Sequence, residues 1–516
     1  MMYLTQLLHR QLQRQPEAMA LIGGDDRLTY RDLHDRAARA ATLLHSLGVR
    51  FGDRVALLSH NSVECVELMF GCWWIGAVFC PVNTRWSAEE ILDSIADCTP
   101  SVLFADVTHL ELADQVRRMS TCIRRVVSIA SPGEPDTYPA LLSSLEPTPD
   151  IRSGGEALAA LVYTGGTTGR SKGVMLTHAS LLAGVACRLA DSEPLHDSAA
   201  LVLTPNFHIA NFIRLLPNLV AGGRCVLLPQ FKADEAIALI EREGVTDVPF
   251  VPTMLQMVLS HPDFRPERLR TVRRISYGAA PSAGSLLQRA MQLFPWAGLQ
   301  QYYGMTESMG LGTQSLAQDH RPEDWLSGRA ASAGRAATFM EVRVVDEEDR
   351  DRAIGEVGEV LLRGPSVSPG YWNRPEETRR TFRDGWLHTG DAGRLDAEGY
   401  LHVVDRVKDM IVTGGENVYS AEVENALARH PAVAMTAVIG IPSEQWGEAV
   451  HAVVVLRPGA DADEAALRSH CRELLAGYKT PKNIEFAAEL PLTAAGKIAK
   501  NVLREKHWRG RDRRVN

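Results

Sequence analysis

The 516-residue sequence lacks three patterns that would assign a protein to a class at once. None of its eight cysteines stands in a Cys-x-x-Cys pair, which argues against a structural zinc and fits a reducing compartment. The sixteen histidines include no His-Glu-x-x-His, so a zinc hydrolase has no support. The formal net charge of −8 argues against nucleic acid as a partner.

Long apolar runs are missing as well. The most apolar segment, residues 68–82, has fifteen residues and is interrupted by Gly76 and Pro81. A helix that spans a bilayer needs about 20 residues, so we expect a buried helix that leads into a buried strand and no integral membrane segment. Residues 1–20 lack the apolar core of a signal peptide, which makes the cytoplasm the expected location.

The composition that is present is typical of a globular enzyme, and the length predicts about two to four domains. Strand-like segments at 78–82 and 101–105 alternate with helical patterns at 62–75 and 87–97. Such alternation predicts β-α-β units and a largely parallel sheet. The same alternation resumes after residue 174 and continues to about residue 300.

The composition or the predicted secondary structure changes in three places along the chain. Residues 131–155 are rich in Pro, Ser, Gly and Glu, so we expect an exposed connection there. Short strands from Glu341 onward predict a small antiparallel unit. The last hundred residues or so predict a compact α+β unit that ends in a strand and a solvated basic tail at 506–514.

The segment with the clearest chemistry runs from Tyr163 to Val174 and reads Tyr-Thr-Gly-Gly-Thr-Thr-Gly-Arg-Ser-Lys-Gly-Val. Glycines let backbone N–H groups converge on an anion, the hydroxyls add donors, and Lys172 adds a positive charge. These features predict a phosphate-binding loop, with a flexible surface hairpin as the alternative. It is not the usual P-loop, because Gly173 stands where a hydroxyl residue should follow the lysine.

Further short motifs follow this loop in a fixed order. Together with it they resemble the adenylate-forming superfamily, which includes acyl-CoA synthetases, firefly luciferase and the adenylation domains of peptide synthetases. The resemblance covers nearly the whole chain. The motifs are Asn206-Phe207-His208, Tyr277-Gly-Ala-Ala-Pro281, Gln301-Tyr-Tyr-Gly-Met-Thr-Glu307, Trp386-Leu-His-Thr-Gly-Asp391 and Pro491-Leu-Thr-Ala-Ala-Gly-Lys-Ile498.

The resemblance implies an α/β fold in two domains. A large N-terminal domain, residues 1–407, would contain mixed and parallel sheets flanked by helices, together with a small β-barrel-like subdomain. A small mobile α+β domain, residues 408–516, would carry a catalytic lysine, and Lys408 falls where the family has its hinge.

The resemblance also implies the nucleotide site. Tyr303 would stack on adenine, Asp391 would accept hydrogen bonds from the ribose hydroxyls, and Arg406 would be its partner. Taken alone, a Thr-Gly-Asp sequence is more often a turn than a site. The full set implied for ATP or AMP is Thr164, Gly165, Gly166, Thr167, Thr168, Gly169, Lys172, Gly278, Ala279, Ala280, Tyr303, Gly304, Asp391 and Arg406.

Four residues are implied to be catalytic. Lys497 would bridge the substrate carboxylate and the α-phosphate, and Thr306 would bind that phosphate. Glu307 would hold Mg²⁺, although by itself it could be an acidic residue at a helix N-terminus. His208 would lie beside the substrate carboxylate, with a packing histidine as the alternative.

The family pattern further implies an acyl pocket and a channel for CoA. Asn211, Phe212, Tyr277 and Met305 would line the pocket, and Gly414 and Gly415 would line the channel. No basic residue stands out to pair a second carboxylate, so a dicarboxylic acid is disfavoured.

The predicted function is an ATP-dependent acid–CoA ligase that uses Mg²⁺. A medium- or long-chain fatty acid or an aromatic acid would form an acyl-adenylate and pyrophosphate, and CoA would then give acyl-CoA and AMP. One alternative is transfer to a separate carrier protein, since only 19 residues follow Lys497. Luciferase-like oxidation and a catalytically inactive nucleotide-binding homologue are weaker alternatives, and a homodimer is left open.

Overall fold

The computed structural model describes residues 2–129, 137–164, 171–192, 197–280, 284–406, 409–414, 416–493 and 497–509. Helices and strands alternate through the first part of the chain. The helices there are α1 Gln6–Arg14, α2 Tyr30–Ser46, α3 Val63–Trp74, α4 Ala88–Cys98, α5 Leu110–Met119, α6 Tyr138–Ser143, α7 His178–Asp191, α8 Ile209–Ala221, α9 Ala233–Glu243, α10 Pro252–Ser260, α11 Gly284–Leu293, α12 Pro322–Ser327 and α13 Pro375–Thr381.

The strands between these helices belong to two large sheets. They are β1 Met19–Gly23, β2 Asp26–Thr29, β3 Arg54–Leu58, β4 Val78–Pro81, β5 Val102–Asp106, β6 Arg125–Ile129, β7 Leu158–Thr164, β8 Lys172–Thr177, β9 Ala199–Val202, β10 Arg224–Leu227, β11 Asp247–Phe250, β12 Arg274–Gly278, β13 Gly298–Tyr303, β14 Thr313–Ser315 and β15 Arg335–Ala336.

Both large sheets are mainly parallel, as the alternation predicted. The six-stranded sheet has the order β6-β5-β3-β4-β7-β8, and only its edge strand β8 is antiparallel to its neighbour. The nine-stranded sheet has the order β15-β14-β13-β12-β11-β9-β10-β1-β2, with antiparallel pairs confined to its two ends. The α/β architecture expected from the sequence is confirmed.

Local signals explain where several helices begin. The Thr29 side chain accepts from the Asp32 backbone N–H and Asp32 bonds back to Thr29, a capping box that starts α2. Helix α3 is buried around its whole circumference and leads into the fully buried strand β4, as predicted for the apolar segment. Among the described residues, no helix combines the length and the apolar character needed to cross a membrane.

Apolar cores lie on both faces of the nine-stranded sheet. One core fills the space between the two large sheets and includes Trp73, Phe79 and Phe212. The other packs α9, α10 and α11 on the opposite face and includes Phe250 and Tyr277. All eight cysteines are free thiols and seven are buried, as expected for a reducing compartment.

The third and fourth sheets come from the rest of the chain. The third is antiparallel and consists of β16 Glu341–Val345, β17 Gly358–Arg363, β18 Phe382–Arg383, β19 Trp386–Leu395 and β20 Leu401–Arg406. The fourth consists of β21 Ile411–Thr413, β22 Glu416–Val418, β23 Val433–Ser443, β24 Gly447–Leu456 and β25 Asn483–Phe486. It packs with helices α14 Ser420–Ala428, α15 Glu464–Leu474 and α16 Lys500–Trp508.

Two segments differ from the sequence-based expectation. The connection predicted at 131–155 contains helix α6, whose Tyr138 and Leu142 are buried against the core. The basic tail predicted from residue 506 begins inside α16, where Leu503 is buried and Trp508 Nε1 donates to the Gly440 carbonyl oxygen at 2.9 Å. In both segments a few apolar contacts with distant residues outweigh the polar local composition.

Candidate active site

The candidate site begins where the parallel strands β12 and β13 end, the usual place for a ligand in an open α/β sheet. Strand β12 ends at Gly278, where a Cβ atom would approach the Tyr302 carbonyl oxygen to 2.3 Å. A side chain would therefore push the two strands apart. Ala279 follows with φ +66°, a left-handed conformation that is costly for a residue with a side chain. The turn of Gly278, Ala279 and Ala280 is thus held tightly against β13.

A buried carboxylate joins this turn to the third sheet. The Tyr303 hydroxyl donates to Asp391 Oδ2 at 2.8 Å, and Arg406 Nε lies 2.7 Å from Asp391 Oδ1. Asp391 and Arg406 are register partners on β19 and β20. Burial, reinforced by the Asp391 charge, holds the pKa of Tyr303 well above its usual range, so its hydroxyl stays a donor.

The turn after β13 presents a second buried carboxylate. Gly304 passes so close to Gly310 that a Cβ atom would come within 2.5 Å of its backbone, and Thr306 begins a short 3₁₀ turn. Glu307 is 5% exposed, and its Oε1 accepts the Tyr371 hydroxyl at 2.7 Å. Burial raises the pKa of Glu307, while the Tyr371 hydrogen bond opposes the shift.

Glu307 has the properties of a magnesium ligand. No Lys or Arg nitrogen of the described residues lies within 4.0 Å of its carboxylate, so the buried carboxylate is hydrogen-bonded but has no ion pair. Mg²⁺ prefers hard oxygen donors, which the Glu307 carboxylate and the neighbouring Thr306 hydroxyl supply. The donor set therefore fits this ion.

The phosphate-binding loop predicted from the sequence enters and leaves the site through paired strands. Thr164 ends β7 and Lys172 begins β8, where the two residues are register partners. Lys172 Nζ lies 5.2 Å from the centre of the Tyr371 ring, whose hydroxyl binds Glu307. The other loop residues assigned to ATP, namely Gly165, Gly166, Thr167, Thr168 and Gly169, lie outside the described residues.

Lys497 reaches this site from the C-terminal part of the chain. A small hairpin holds it, in which Thr493 N donates to the Lys497 carbonyl at 2.6 Å and Lys497 N donates to Thr493 Oγ1 at 3.1 Å. Burial and the Arg406 charge lower the pKa of Lys497 to about 8, against the opposing effect of Asp391. Lys497 is thus electrostatically coupled to both members of the Asp391–Arg406 pair.

The charge of Lys497 also acts on His208. It is the N-cap of α8, where its Nδ1 accepts from Ala210 N at 3.1 Å. Burial and the Lys497 charge lower the pKa of His208 to about 3, so its imidazole is neutral at pH 7. Electrostatic interactions therefore link Lys497 to His208, Asp391 and Arg406, which are widely separated in the sequence.

The residues predicted for the acyl pocket fall into different environments. Asn211 Nδ2 donates to Asn61 Oδ1 at 3.2 Å and to the Thr204 carbonyl at 2.9 Å. Phe212 is 1% exposed in the core between the large sheets. Asn211 and Phe212 border a cavity of about 20 Å³, room for one water, whose lining also includes Asn61, Cys65, Met69, Phe79 and Asn206.

Tyr277 and Met305 do not join that cavity. The Tyr277 hydroxyl donates to His320 Nε2 at 2.7 Å in the core on the opposite face of the nine-stranded sheet. Phe212 belongs to the core on the other face of that sheet, so Tyr277 is directed away from it. Met305 packs against the core of the third sheet. The structure thus brings Asn211 and Phe212 together and separates them from Tyr277 and Met305.

The predicted CoA channel and hinge are described only in part. Gly414 has φ +61°, and a Cβ atom there would meet the Trp446 ring at 3.0 Å. Its backbone N–H donates to the Trp446 carbonyl oxygen at 2.8 Å. Gly415 and Lys408 lie outside the described residues.

Two further residues contact the site and were not predicted from the sequence. Tyr371 holds Glu307 because the chain at 370–372 hydrogen-bonds along β8, with Met175 N donating to the Gly370 carbonyl at 3.0 Å. Arg85 Nη1 donates to the Thr493 carbonyl at 3.1 Å and so contacts the Lys497 hairpin. Each of these contacts joins residues that are far apart in the chain, so no local pattern could have predicted it.

Two family models match the chain. The model described as AMP-binding enzyme matches residues 8–372, and the model described as AMP-binding enzyme C-terminal domain matches residues 422–497.

Named relatives match over almost the full length. A feruloyl-CoA synthase from Amycolatopsis sp is 40% identical over 500 residues, which are 96% of this chain and 97% of that protein. The long-chain-fatty-acid–CoA ligase FadD13 of Mycobacterium tuberculosis is 36% identical over 485 residues, 94% of each chain. The fatty acid–[acyl-carrier-protein] ligase ScoC of Streptomyces coeruleorubidus is 36% identical over 512 residues, 98% of this chain and 96% of that protein.

Solved structures of similar enzymes share the fold of this chain over almost its full length. ATP-bound MatB from Rhodopseudomonas palustris superposes with a TM-score of 0.88 at 32% identity, covering 97% of this chain and 98% of that one. The anthranilate CoA ligase AuaEII, in complex with anthranoyl-AMP, superposes with a TM-score of 0.90 at 29% identity, covering 98% of this chain and 97% of that one.

Proposed function

The chain belongs to the AMP-binding enzyme family, and we propose that this acid–CoA ligase activates an apolar monocarboxylic acid, with an aromatic acid as the first candidate. ATP and CoA are its co-substrates. The aromatic acid is supported by the 40% identity to a feruloyl-CoA synthase. A fatty acid is the second candidate, supported by the 36% identity to FadD13.

The limitation to one carboxylate has a physical basis. The predicted pocket residues Asn211 and Phe212 have apolar or neutral neighbours, with no Lys or Arg among the described residues that border the one-water cavity beside them. A second carboxylate in such surroundings would lose its hydration without gaining a counter-charge, which is costly. An aromatic ring or an alkyl chain would lose nothing comparable.

The first half-reaction is supported chiefly by the position of Lys497. In that step a carboxylate oxygen attacks the α-phosphorus of ATP, and the bond to pyrophosphate breaks. The ammonium of Lys497, close to His208, Asp391 and Arg406, would offset the charge of the two anions as they meet. Asp391 would hold the ribose hydroxyls, and Lys172 would hold the departing phosphates.

We assign Mg²⁺ to Glu307 with Thr306 beside it. Bound there, the ion would neutralise phosphate charge. The Tyr371 hydroxyl orients the Glu307 carboxylate and favours its ionised form, which is the form that binds a cation.

In the second half-reaction the thiol of CoA gives up its proton and its sulfur attacks the acyl carbonyl, so that the bond to AMP breaks. We propose that the C-terminal residues rotate about Lys408, which removes Lys497 and brings the Gly414 turn to the site. Two reactions at one site need two arrangements of the surrounding groups, and a moving segment supplies them.

A panel of acids tests the proposed substrate. Purified enzyme is incubated with ATP, Mg²⁺ and CoA and one acid at a time, and AMP release and thioester formation are measured. Hydroxycinnamic and benzoic acids are compared with medium- and long-chain fatty acids and with dicarboxylic acids. We expect the highest kcat/KM with an aromatic monocarboxylate; a dicarboxylate as best substrate would contradict the proposal.

The same assay separates the other candidates. Transfer to a carrier protein is favoured by the resemblance to ScoC, so acyl-carrier-protein replaces CoA in a parallel series. Faster thioester formation with the carrier than with CoA would identify a carrier-loading enzyme. Failure to release pyrophosphate with any acid would identify an inactive nucleotide-binding homologue.

A further inference from the structure

Three potential metal ligands meet in the C-terminal part of the chain, on the face of the fourth sheet that α16 covers. Residues Val450, Ala452 and Val454 of β24 point into the core beneath α14 and α15. His451 therefore points to the opposite face, toward α16, because side chains alternate along a strand. Glu485 of β25 points the same way, and His507 comes from the last turn of α16.

His451 is the unusual member of this group. It is 5% exposed, and neither Nδ1 nor Nε2 has a hydrogen-bond partner among the described residues. A buried imidazole normally satisfies at least one ring nitrogen, because an unpaired buried polar group costs about 1–3 kcal/mol. Among the described residues, the His451 imidazole therefore lacks a hydrogen-bond partner, and Glu485 and His507 lie next to it.

The distances fit a shared ion better than hydrogen bonds. His451 Nε2 lies 3.5 Å from Glu485 Oε2, longer than a good hydrogen bond. Two ligands of one tetrahedral zinc ion are expected to lie about 3.4 Å apart, given zinc–ligand bonds of about 2.0–2.1 Å. The rings of His451 and His507 have centroids 4.9 Å apart, and the three ligand atoms lie within 4.8 Å of one another.

We propose that His451, Glu485 and His507 form a binding site for Zn²⁺ or a chemically similar divalent ion, with water as a fourth ligand. Two imidazoles and one carboxylate are ligands that suit this ion. The ion would tie α16 to β24 and β25. Helix α16 follows the Lys497 hairpin directly, so the ion would also steady the segment that carries Lys497.

Two other arrangements help to define the proposal. Lys506 Nζ lies 3.7 Å from Glu485 Oε1, so a salt bridge competes for this carboxylate.

The triad of His60, Asp106 and His109 carries no comparable proposal. There Asp106 already accepts from the His109 ring and from two backbone N–H groups, which satisfies the carboxylate without an ion.

Metal titration tests the proposed site. The full-length protein is freed of metal with a chelator and titrated with ZnCl₂ in a calorimeter, and the titration is repeated with Co²⁺ while the visible spectrum is recorded. We expect one equivalent of Zn²⁺ and a tetrahedral Co²⁺ spectrum. His507→Gln and Glu485→Gln should each weaken binding more than about 10-fold.

Control variants distinguish zinc binding at this site from non-specific binding to surface side chains. His430→Gln removes a histidine of the same sheet-and-helix unit that lies against the His470 ring and accepts from Ala432 N, and it should leave zinc binding unchanged. Lys506→Ala removes the competing cation and should not weaken binding. Circular dichroism verifies folding, and the half-exposed Glu485 allows the test even if a histidine variant does not fold. Absence of a stoichiometric site, or equal binding by the wild type, His507→Gln and Glu485→Gln, would overturn the proposal.

Discussion

Burial sets the charge of the side chains that surround the reacting groups. Lys497 and His208 both lie where burial disfavours a positive charge. The Arg406 charge lowers the pKa of Lys497 further, and the Lys497 charge lowers the pKa of His208 further. His208 is consequently neutral at physiological pH, whereas Lys497 keeps most of its charge because its pKa of about 8 is above pH 7. Lys497 is therefore a cation of the site that begins to lose its charge just above physiological pH.

The proposed role of Lys497 predicts a pH dependence. Only the ammonium form can offset negative charge, and its fraction falls as the pH rises through the folded pKa of about 8. The kcat/KM for pyrophosphate release should therefore decline above that pH, since this parameter reports the free enzyme. A stopped assay of pyrophosphate over a pH series measures it.

Lys497→Arg supplies the control for this prediction. A guanidinium keeps its charge across the whole range, so the variant should have lower activity but no decline in that interval. A wild-type profile that stays level well above pH 8, or a variant profile with the same decline, would count against the assigned role.

At the scale of elements, tight turns position the groups that carry chemistry. Gly278 lets β12 end against β13, and Gly304 lets the chain turn back toward Glu307. Gly414 does the same in the C-terminal unit, where its left-handed turn lies on the face of Trp446. Each of these glycines is explained by a close approach and not by flexibility.

Gly414→Ala tests whether that turn serves the second half-reaction. The new methyl group would meet the Trp446 ring at 3.0 Å and displace it, so thioester formation from a supplied acyl-adenylate should slow about 10-fold. Pyrophosphate release should change little. Rapid-quench measurement of the two half-reactions separates the two effects.

Gly459→Ala is the matched control. Gly459 also has a positive φ, +74°, in the same unit, but a Cβ atom there would meet nothing within 4 Å. Both substitutions should therefore cost a similar backbone strain of about 1 kcal/mol. Equal effects of the two variants on the thioester step would mean that strain, and not the contact with Trp446, is responsible.

At the scale of the whole molecule, the site is assembled from distant parts of the chain. The large sheets supply Glu307, Tyr303 and His208, the third sheet supplies Asp391, and the C-terminal hairpin supplies Lys497. Among the described residues, Arg85 Nη1 joins the chain after β4 to this hairpin by donating to the Thr493 carbonyl. Asp405, near the predicted boundary, accepts from both the backbone and the hydroxyl of Ser420.

Lys497→Ala and Arg85→Ala test the proposed two arrangements together. Lys497→Ala should reduce adenylate formation by at least about 100-fold, because a charge that stabilises the transition state is removed. Arg85→Ala should reduce it only about 2- to 10-fold, the effect of one exposed hydrogen bond. Both variants should transfer a supplied acyl-adenylate to CoA at nearly the wild-type rate. Parallel loss in both half-reactions would contradict a separate arrangement for each step.

The sequence alone determined the class of fold and the kind of chemistry. Capping boxes, the alternation of helices with strands, and short motifs such as Tyr303 to Glu307 are carried by contiguous residues, so they can be recognised without a structure. The buried state of the cysteines followed from their apolar neighbours in the same way.

Tertiary structure alone decided which of these residues meet. It directed Tyr277 to the face of the sheet opposite Phe212, extended helix α16 into the first residues of the predicted basic tail, and set Tyr371 against Glu307. It also joined His451, Glu485 and His507 on one face. Such contacts link residues far apart in the chain, and they depend on strand register and helix packing, which no short stretch of sequence encodes.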